Sequence, residues 1–245
     1  GNKKWTYNES AVQGFEKHSA LFYLTQKFFS PEGDKQWVSS LNKMKAAMTS
    51  QHMQKFLDIF TPILRTKIAE RKPLLVGFSI PFVHMLIPSL ALARQLKAMM
   101  GKVHICFGGP TMTLFPSDWI QAIIKLGVVD SIIKHEGEVP LLDLMRAIKQ
   151  KRLTAATHSP YLLHGNRTSG PKPPPIFFMD YSRIKDLHDT PKTTQIPVLQ
   201  SKGCYWGKCV FCDYRNLCQS PTYRHRATME VVDELQYYYQ KGFKK

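Results

Sequence analysis

Four of the five cysteines in this chain fall between positions 204 and 218. They lie in the stretch Gly203-Cys204-Tyr205-Trp206-Gly207-Lys208-Cys209-Val210-Phe211-Cys212, with Cys218 following. The spacing is C-x4-C-x2-C. Three thiolates this close together on one loop can wrap three corners of an iron–sulfur cubane, whose usual protein ligands are Cys thiolates. A cluster held by only three cysteines keeps one iron open to a small molecule, as an open position on zinc permits catalysis. Lys202, Lys208 and Arg215 would favour the thiolate forms. A zinc site made by all four cysteines is the alternative, although zinc ribbons usually carry two C-x2-C pairs and this chain has one. A redox C-x2-C pair fits less well, because two further cysteines share the loop. Disulfide scaffolds are short secreted chains with cysteines spread along them. One tight group in a long chain points instead to metal or redox chemistry in a reducing compartment, here expected to be the cytoplasm.

Such a loop has to be delivered by regular elements. The run 196–201 reads as a strand leading into it. Residues 228–240 read as a helix after it, with Glu230, Asp233 and Glu234 near its positive end. Upstream, 166–175 is rich in proline and reads as a linker or strap. Between 73 and 165 short apolar runs alternate with helical patterns. Strands are expected at 74–79, 103–107, 130–134 and 161–164. Helices are expected with Pro88 near the first turn and Gly101 just past the end, and over 117–126 and 139–149. This alternation with short connections predicts a parallel sheet in an α/β domain. Residues 10–70 lack strand alternation, and Phe15, Leu21, Leu24, Phe28, Leu41, Met44, Met48, Phe56, Ile59 and Ile63 recur at helical spacing. About three helices are expected there, interrupted at Pro31-Glu32-Gly33.

The bulk composition sets limits on these readings. The chain has 245 residues, 43% hydrophobic and 21% charged, as in a globular protein. No apolar run approaches the roughly 18–20 residues that span a bilayer, and the polar start does not read as a signal peptide. The net charge of +16 suits nucleic acid, acidic peptides or phosphorylated cofactors. The basic residues are spread along the chain, which fits a solvated surface at least as well as an RNA groove.

A strand, then Gly203-Cys204-x-Trp206-x-x-Cys209-x-Phe211-Cys212, then Tyr223-Arg224-x-Arg226 and a helix, resembles the opening of a radical S-adenosylmethionine (SAM) barrel. The family's usual spacing is C-x3-C-x2-C, so this chain carries one extra residue between Cys204 and Cys209, and Cys218 stays in reserve as a ligand. The resemblance implies that Cys204, Cys209 and Cys212 hold a [4Fe–4S] cluster and that Phe211 lies near the adenine of SAM. It further implies that the open iron chelates SAM, and that an electron donor such as flavodoxin or ferredoxin triggers release of a 5′-deoxyadenosyl radical. A full barrel needs several β/α units, and the residues after 196 suffice for one. The chain by itself is therefore expected to be incomplete and inactive.

The α/β segment carries a second resemblance. Ser79 at the end of a strand, Pro81, and then Gly108-Gly109 with Thr111 beside them are similar to the S-x-L…GG pattern of cobalamin-binding Rossmann-like domains, with Pro81 replacing leucine. Lys134-His135-Glu136-Gly137-Glu138-Val139-Pro140 resembles the Gly-Glu-Gly-Glu-x-Pro stretch of cobalamin-dependent radical SAM proteins, with His135 in place of the first glycine. The resemblance implies cobalamin contacts at Ser79, Gly108, Gly109, Thr111, Glu136, Gly137 and Glu138. His84, in the loop after the first strand, is a candidate for the position beneath the corrin. Ligands of open α/β sheets bind outside the carboxyl ends of the strands, where all of these positions fall. The D-x-H-x-x-G motif of the wider family is absent; Asp186-Leu187-His188 is similar, but Pro191 stands where glycine is needed. The family's usual strand–helix unit ahead of the helical segment is also missing.

The expected fold class is therefore α/β. It comprises a helical segment (1–72), a Rossmann-like parallel sheet of the cobalamin-binding type (73–165), a linker (166–195) and the first β/α unit of a radical SAM partial barrel (196–245). The expected activity is methyl transfer to an unactivated carbon of a peptide or small-molecule substrate, with cluster, SAM and cobalamin as cofactors. The helical segment and the Gly-x-Trp loop look closest to relatives that modify ribosomally made peptides. A tRNA-modifying radical SAM protein, or a non-catalytic zinc- or cobalamin-binding module, are the alternatives. Neither a membrane nor, in the main reading, a nucleic acid is expected as a partner.

Overall fold

Short apolar runs bounded by turn residues bury best as central strands of a parallel sheet, and the computed structural model forms such a sheet. It describes residues 40–151, 161–163, 176–178, 195–217 and 223–243. The chain divides into two compact units, Gly1–His164 and Gly165–Lys245.

In the first unit β1 (Leu75–Ser79), β2 (His104–Gly108), β3 (Ser131–Ile133) and β4 (Tyr161–Leu163) lie in that order and are all parallel. Two helices precede β1, α1 (Leu41–Met48) and α2 (Gln51–Arg71). Ser50 caps α2 by accepting the Met53 N–H at 3.2 Å, which satisfies one of the unpaired donors of the first turn. The helix α3 (Leu86–Met100) joins β1 to β2. Pro88 sits in its first turn, where no N–H is needed, and Gly101 closes it at φ 62°. A short α4 (Pro110–Leu114) and then α5 (Ser117–Lys125) join β2 to β3, and α6 (Glu138–Lys149) follows β3.

Alternation along the strands sorts the core. Val76, Phe78, Ile105, Phe107 and Ile132 share one face with Leu86 and Leu90 of α3 and Ile120 and Ile123 of α5. The Phe78 and Phe107 rings stand 5.1 Å apart. Met44, Met48, Met53 and Leu57 belong to the same buried cluster, so α1 and α2 form part of this core. On the opposite face Leu75, Cys106 and Ile133 pack against Leu144 and Ile148 of α6. Asp130 ties the layers together. Its Oδ2 accepts the Ile105 N–H at 2.6 Å and the Lys97 ammonium at 2.5 Å, and that ammonium also donates to the Val103 carbonyl at 2.8 Å.

The observed sheet differs from the expected one at β1. Its apolar run reads as buried on both faces, yet Gly77 and Ser79 are exposed. Among the described residues β1 stands at the edge of the sheet, and Leu75 is its residue that packs against the Cys106, Ile133 and Leu144 cluster. Strand order decides this, and a local apolar run carries no information about it.

In the second unit, residues 195–200 run into β5 (Ser201–Lys202), which pairs antiparallel with β6 (Arg224–His225). The ladder is shorter than the expected strand 196–201, because the partner strand is itself two residues long. A single turn of helix, α7 (Tyr214–Leu217), lies between them, and α8 (Thr228–Gln240) follows with the expected bounds. Part of the expected linker is packed: the Phe178 ring meets those of Tyr237 and Tyr238 at 5.3 and 6.0 Å. The rest of 166–194, the expected helix before residue 40, and Cys218, Asp186, His188 and Pro191 lie outside the described residues. No helix among the described residues is long and apolar enough to cross a membrane.

Candidate functional site

The cysteine loop is closed at its base by β5 and β6. Gly203 (φ 84°) and Gly207 (φ 60°) both adopt the left-handed conformation, which glycine reaches without steric cost. These two reversals fold the loop back on itself. The Gly207 N–H donates to Cys204 Sγ at 3.4 Å, the Cys212 N–H to the Cys209 carbonyl at 3.3 Å, and Arg215 to the Gly207 carbonyl at 2.7 Å. Lys208 stands over the Trp206 ring, 5.6 Å from its centroid. Cys204 is half-buried, Cys209 and Cys212 are exposed, and all three are free thiols. Val210 and Phe211 are almost fully exposed. Among the described residues no three His, Cys, Asp or Glu side chains are gathered as a metal-binding group. The donors are thus on one loop but not converged. Their chemistry fits an iron–sulfur cluster, since each is a free thiol and one already accepts a backbone N–H.

The positions expected to meet cobalamin are brought to one edge of the first unit. Parallel pairing puts Ser79 beside Gly108, and the loops after β1, β2 and β3 all leave from the carboxyl ends of their strands. Ser79 is exposed, and a Cβ at Gly77, two residues back on the same face, would meet nothing within 4 Å. These small residues leave space beside the strand. His84 lies in a 3-10 turn, Val83–Met85, stacked on Phe82 at 5.6 Å, and partial burial lowers the pKa of its imidazole. Glu136 is buried, Gly137 caps α6, and Glu138 occupies its first turn, where a carboxylate complements the helix dipole.

Gly109 has a different explanation from the one its motif suggests. Its φ is 97°, and a Cβ there would lie 2.8 Å from the Ile80 nitrogen and 3.0 Å from the Ile80 oxygen. The Ile80 N–H donates to the Gly108 carbonyl at 2.8 Å, and the Thr111 N–H donates to the Ile80 carbonyl at 3.1 Å. This glycine is required by backbone packing between two loops. Thr111 is buried in the same contact. His135, standing where the resembling stretch has glycine, adopts φ 60°, so the left-handed conformation that favours glycine is kept with a histidine.

Two side chains that motif reading does not single out hold these loops. Thr113 Oγ1 accepts the His135 N–H at 2.7 Å and donates to the Gly109 carbonyl at 3.2 Å. Lys134 donates to the Phe115 carbonyl at 3.0 Å, and burial lowers its pKa. Their spacing in sequence carries no signal, because each acts across loops. Compared with known proteins, the chain matches no protein-family model, no curated protein and no solved structure.

Proposed function

We propose that the cysteine loop holds a [4Fe–4S] cluster in a cobalamin-dependent radical SAM protein that methylates an unactivated carbon of a peptide or small molecule. The observation that carries this reading is a C-x4-C-x2-C set of three free, solvent-reachable thiols on one loop. It is joined by an α/β unit whose Ser79 and Gly108 meet at the carboxyl edge of the sheet. In finer terms, that unit is Rossmann-like and of the cobalamin-binding type, and residues 196–245 are the first β/α unit of a partial barrel. When bound, cluster and SAM supply a 5′-deoxyadenosyl radical and cobalamin carries the methyl group, the cofactors doing the hard chemistry.

The residues of the chain bind and orient. Cys204, Cys209 and Cys212 would supply the thiolates, and Lys208 and Arg215 place positive charge on the same loop. Arg215 also restrains the Gly207 turn. The exposed Phe211 is the surface offered to the adenine of SAM. Gly77, Ser79 and Gly108 leave room for a nucleotide tail. A small reductant protein such as flavodoxin or ferredoxin is the electron donor, and a reducing compartment such as the cytoplasm suits the free thiols. The net charge of +16 favours a second reading, in which the substrate is RNA. Salt-sensitive RNA binding would then be seen.

The test is anaerobic reconstitution with iron and sulfide, followed by metal and sulfide analysis and an absorbance spectrum with added hydroxocobalamin. About four irons and four sulfides per chain, lost in Cys204→Ala, Cys209→Ala and Cys212→Ala, are expected. About one zinc per chain without sulfide would sink the cluster. A corrin band that elutes apart from the protein would remove cobalamin.

A further inference from the structure

The loop that bears the cysteines begins and ends on a very short base. Only Ser201↔His225 and Lys202↔Arg224 pair in the ladder that closes it, and a ladder this short is marginal on its own. The residue immediately after it is Arg226, a buried arginine. Its N–H donates to the Gln200 carbonyl at 2.9 Å, which extends the pairing by one step. Its guanidinium then turns inward. Nη1 donates to the Leu199 carbonyl at 3.3 Å and to the Glu234 carboxylate. Nη2 donates to the Glu230 carbonyl at 3.1 Å, and Nε lies 3.8 Å from the Glu230 carboxylate. Glu234 is almost wholly buried, at 1% exposure. One side chain therefore joins the incoming stem, the outgoing stem and α8.

We infer that Arg226 is the positioning residue of the cysteine loop, fixing both of its stems to α8 so that the three thiols are presented together. This rests on the proposed cluster-holding role of the loop. Arginine is the residue this role requires. It stays charged at all working pH values and presents donors in a rigid fork, whereas an ammonium is a single point that cannot serve two carbonyls and a carboxylate in fixed directions. The buried Glu234 carboxylate needs that charge, since a buried charge left without its partner is strongly destabilising. Holding the ends of a loop also removes the closure entropy that a ligand would otherwise have to offset in gathering the thiolates.

The experiment uses the full chain with Arg226→Gln, Arg226→Lys and Glu234→Gln, each reconstituted anaerobically beside the parent and a Cys209→Ala control. Helical circular dichroism reports the fold. The rate of iron loss to a chelator and the paramagnetic resonance signal of the reduced cluster report the site. Groups hydrogen-bonded to metal ligands typically control about 10–100-fold in metal affinity. Arg226 holds the stems and no cysteine, so Arg226→Gln is expected to lose iron a few-fold to about tenfold faster, with a broadened resonance signal and unchanged helix content. Arg226→Lys is expected to recover part of the difference. Iron loss at the parent rate from Arg226→Gln overturns the inference. If Arg226→Gln fails to fold, Arg226→Lys decides, because an ammonium keeps the charge beside Glu234 but cannot hold the Leu199 and Glu230 carbonyls in fixed directions. Parent-like iron loss there overturns it equally, and Glu234→Gln, which keeps the carbonyl contacts, is the milder comparison. A parent chain that takes up no iron refutes the proposed function instead. The clamp is then judged on trypsin cleavage at Lys208, which should be faster in Arg226→Gln, and equal cleavage overturns it.

Discussion

Replacing Gly109 with alanine puts a methyl group where the Ile80 backbone already lies. The added Cβ would stand 2.8 Å from the Ile80 nitrogen, 3.0 Å from its oxygen and 3.1 Å from its carbonyl carbon. None of these is the end of a flexible side chain, so the strands β1 and β2 or their loops must move. The backbone of Gly109, φ 97° and ψ 178°, is in a region that is essentially glycine-only, and holding another residue there costs about 1–3 kcal/mol. Overpacking adds about 1–3 kcal/mol, for a total of about 2–6 kcal/mol. The unit spans Gly1–His164, and in a domain of that size each kcal/mol moves the midpoint by roughly 2–4 °C. Gly109→Ala should therefore lower the thermal midpoint by roughly 4–24 °C. Gly108→Ala is the matched control. Its Cβ would stand 3.5 Å from the Ile133 carbonyl oxygen, an ordinary contact, and its cost should stay within about 1 kcal/mol. Melting both variants by circular dichroism, with urea titration as a second measure, decides the matter. Midpoints of the two variants within roughly 2 °C of each other would refute the packing account of Gly109 and return it to a ligand-facing role.

Leu57→Ala, in the core shared by α2 and the sheet, should cost about 2–5 kcal/mol by urea denaturation; a cost under about 1 kcal/mol would mean that the preceding helices do not share the core. Asp130→Asn keeps an acceptor for the Ile105 N–H but drops the charge facing Lys97, and should cost about 1–2 kcal/mol. A double-mutant cycle with Lys97→Met should show coupling of at least about 0.5 kcal/mol, and strict additivity would show that the pair contributes nothing. In native labelling with a maleimide, Cys209 and Cys212 should react fast, and Cys106 only after denaturation, because it is buried; comparable rates would contradict that placement. Burial, the largest cause, raises the Cys106 thiol pKa, so the unfolded thiol ionises first. The stability it contributes is held below the ordinary thiol pKa of about 8.5 and is lost as pH rises towards the folded value. Cys106→Ala should flatten that alkaline fall, which a series of urea midpoints from neutral to alkaline pH would measure.

Much of the architecture is local and could be read directly. The helix Thr228–Gln240 and the βα alternation through Lys149 follow from periodicity, Pro88 and Gly101, because burial on one face imposes its period on the sequence. The C-x4-C-x2-C spacing likewise names its donor set without any coordinates. Tertiary structure decided the rest. Motif reading assigns both glycines of Gly108-Gly109 to a ligand, yet only the approach of the Ile80 backbone shows that the second is needed for packing. The apolar run at 75–79 reads as buried on both faces, but strand order put it at an edge. In sequence Arg226 is one residue of the Tyr223-Arg224-x-Arg226 stretch and Glu234, eight residues on, one of the acidic residues of the following helix, and nothing pairs them. Their burial, and the grip of Arg226 on the Leu199 and Gln200 carbonyls, exists only once the chain has returned from the cysteine loop. A side chain that acts across a loop leaves no period in the sequence, whereas donors that act within one loop do.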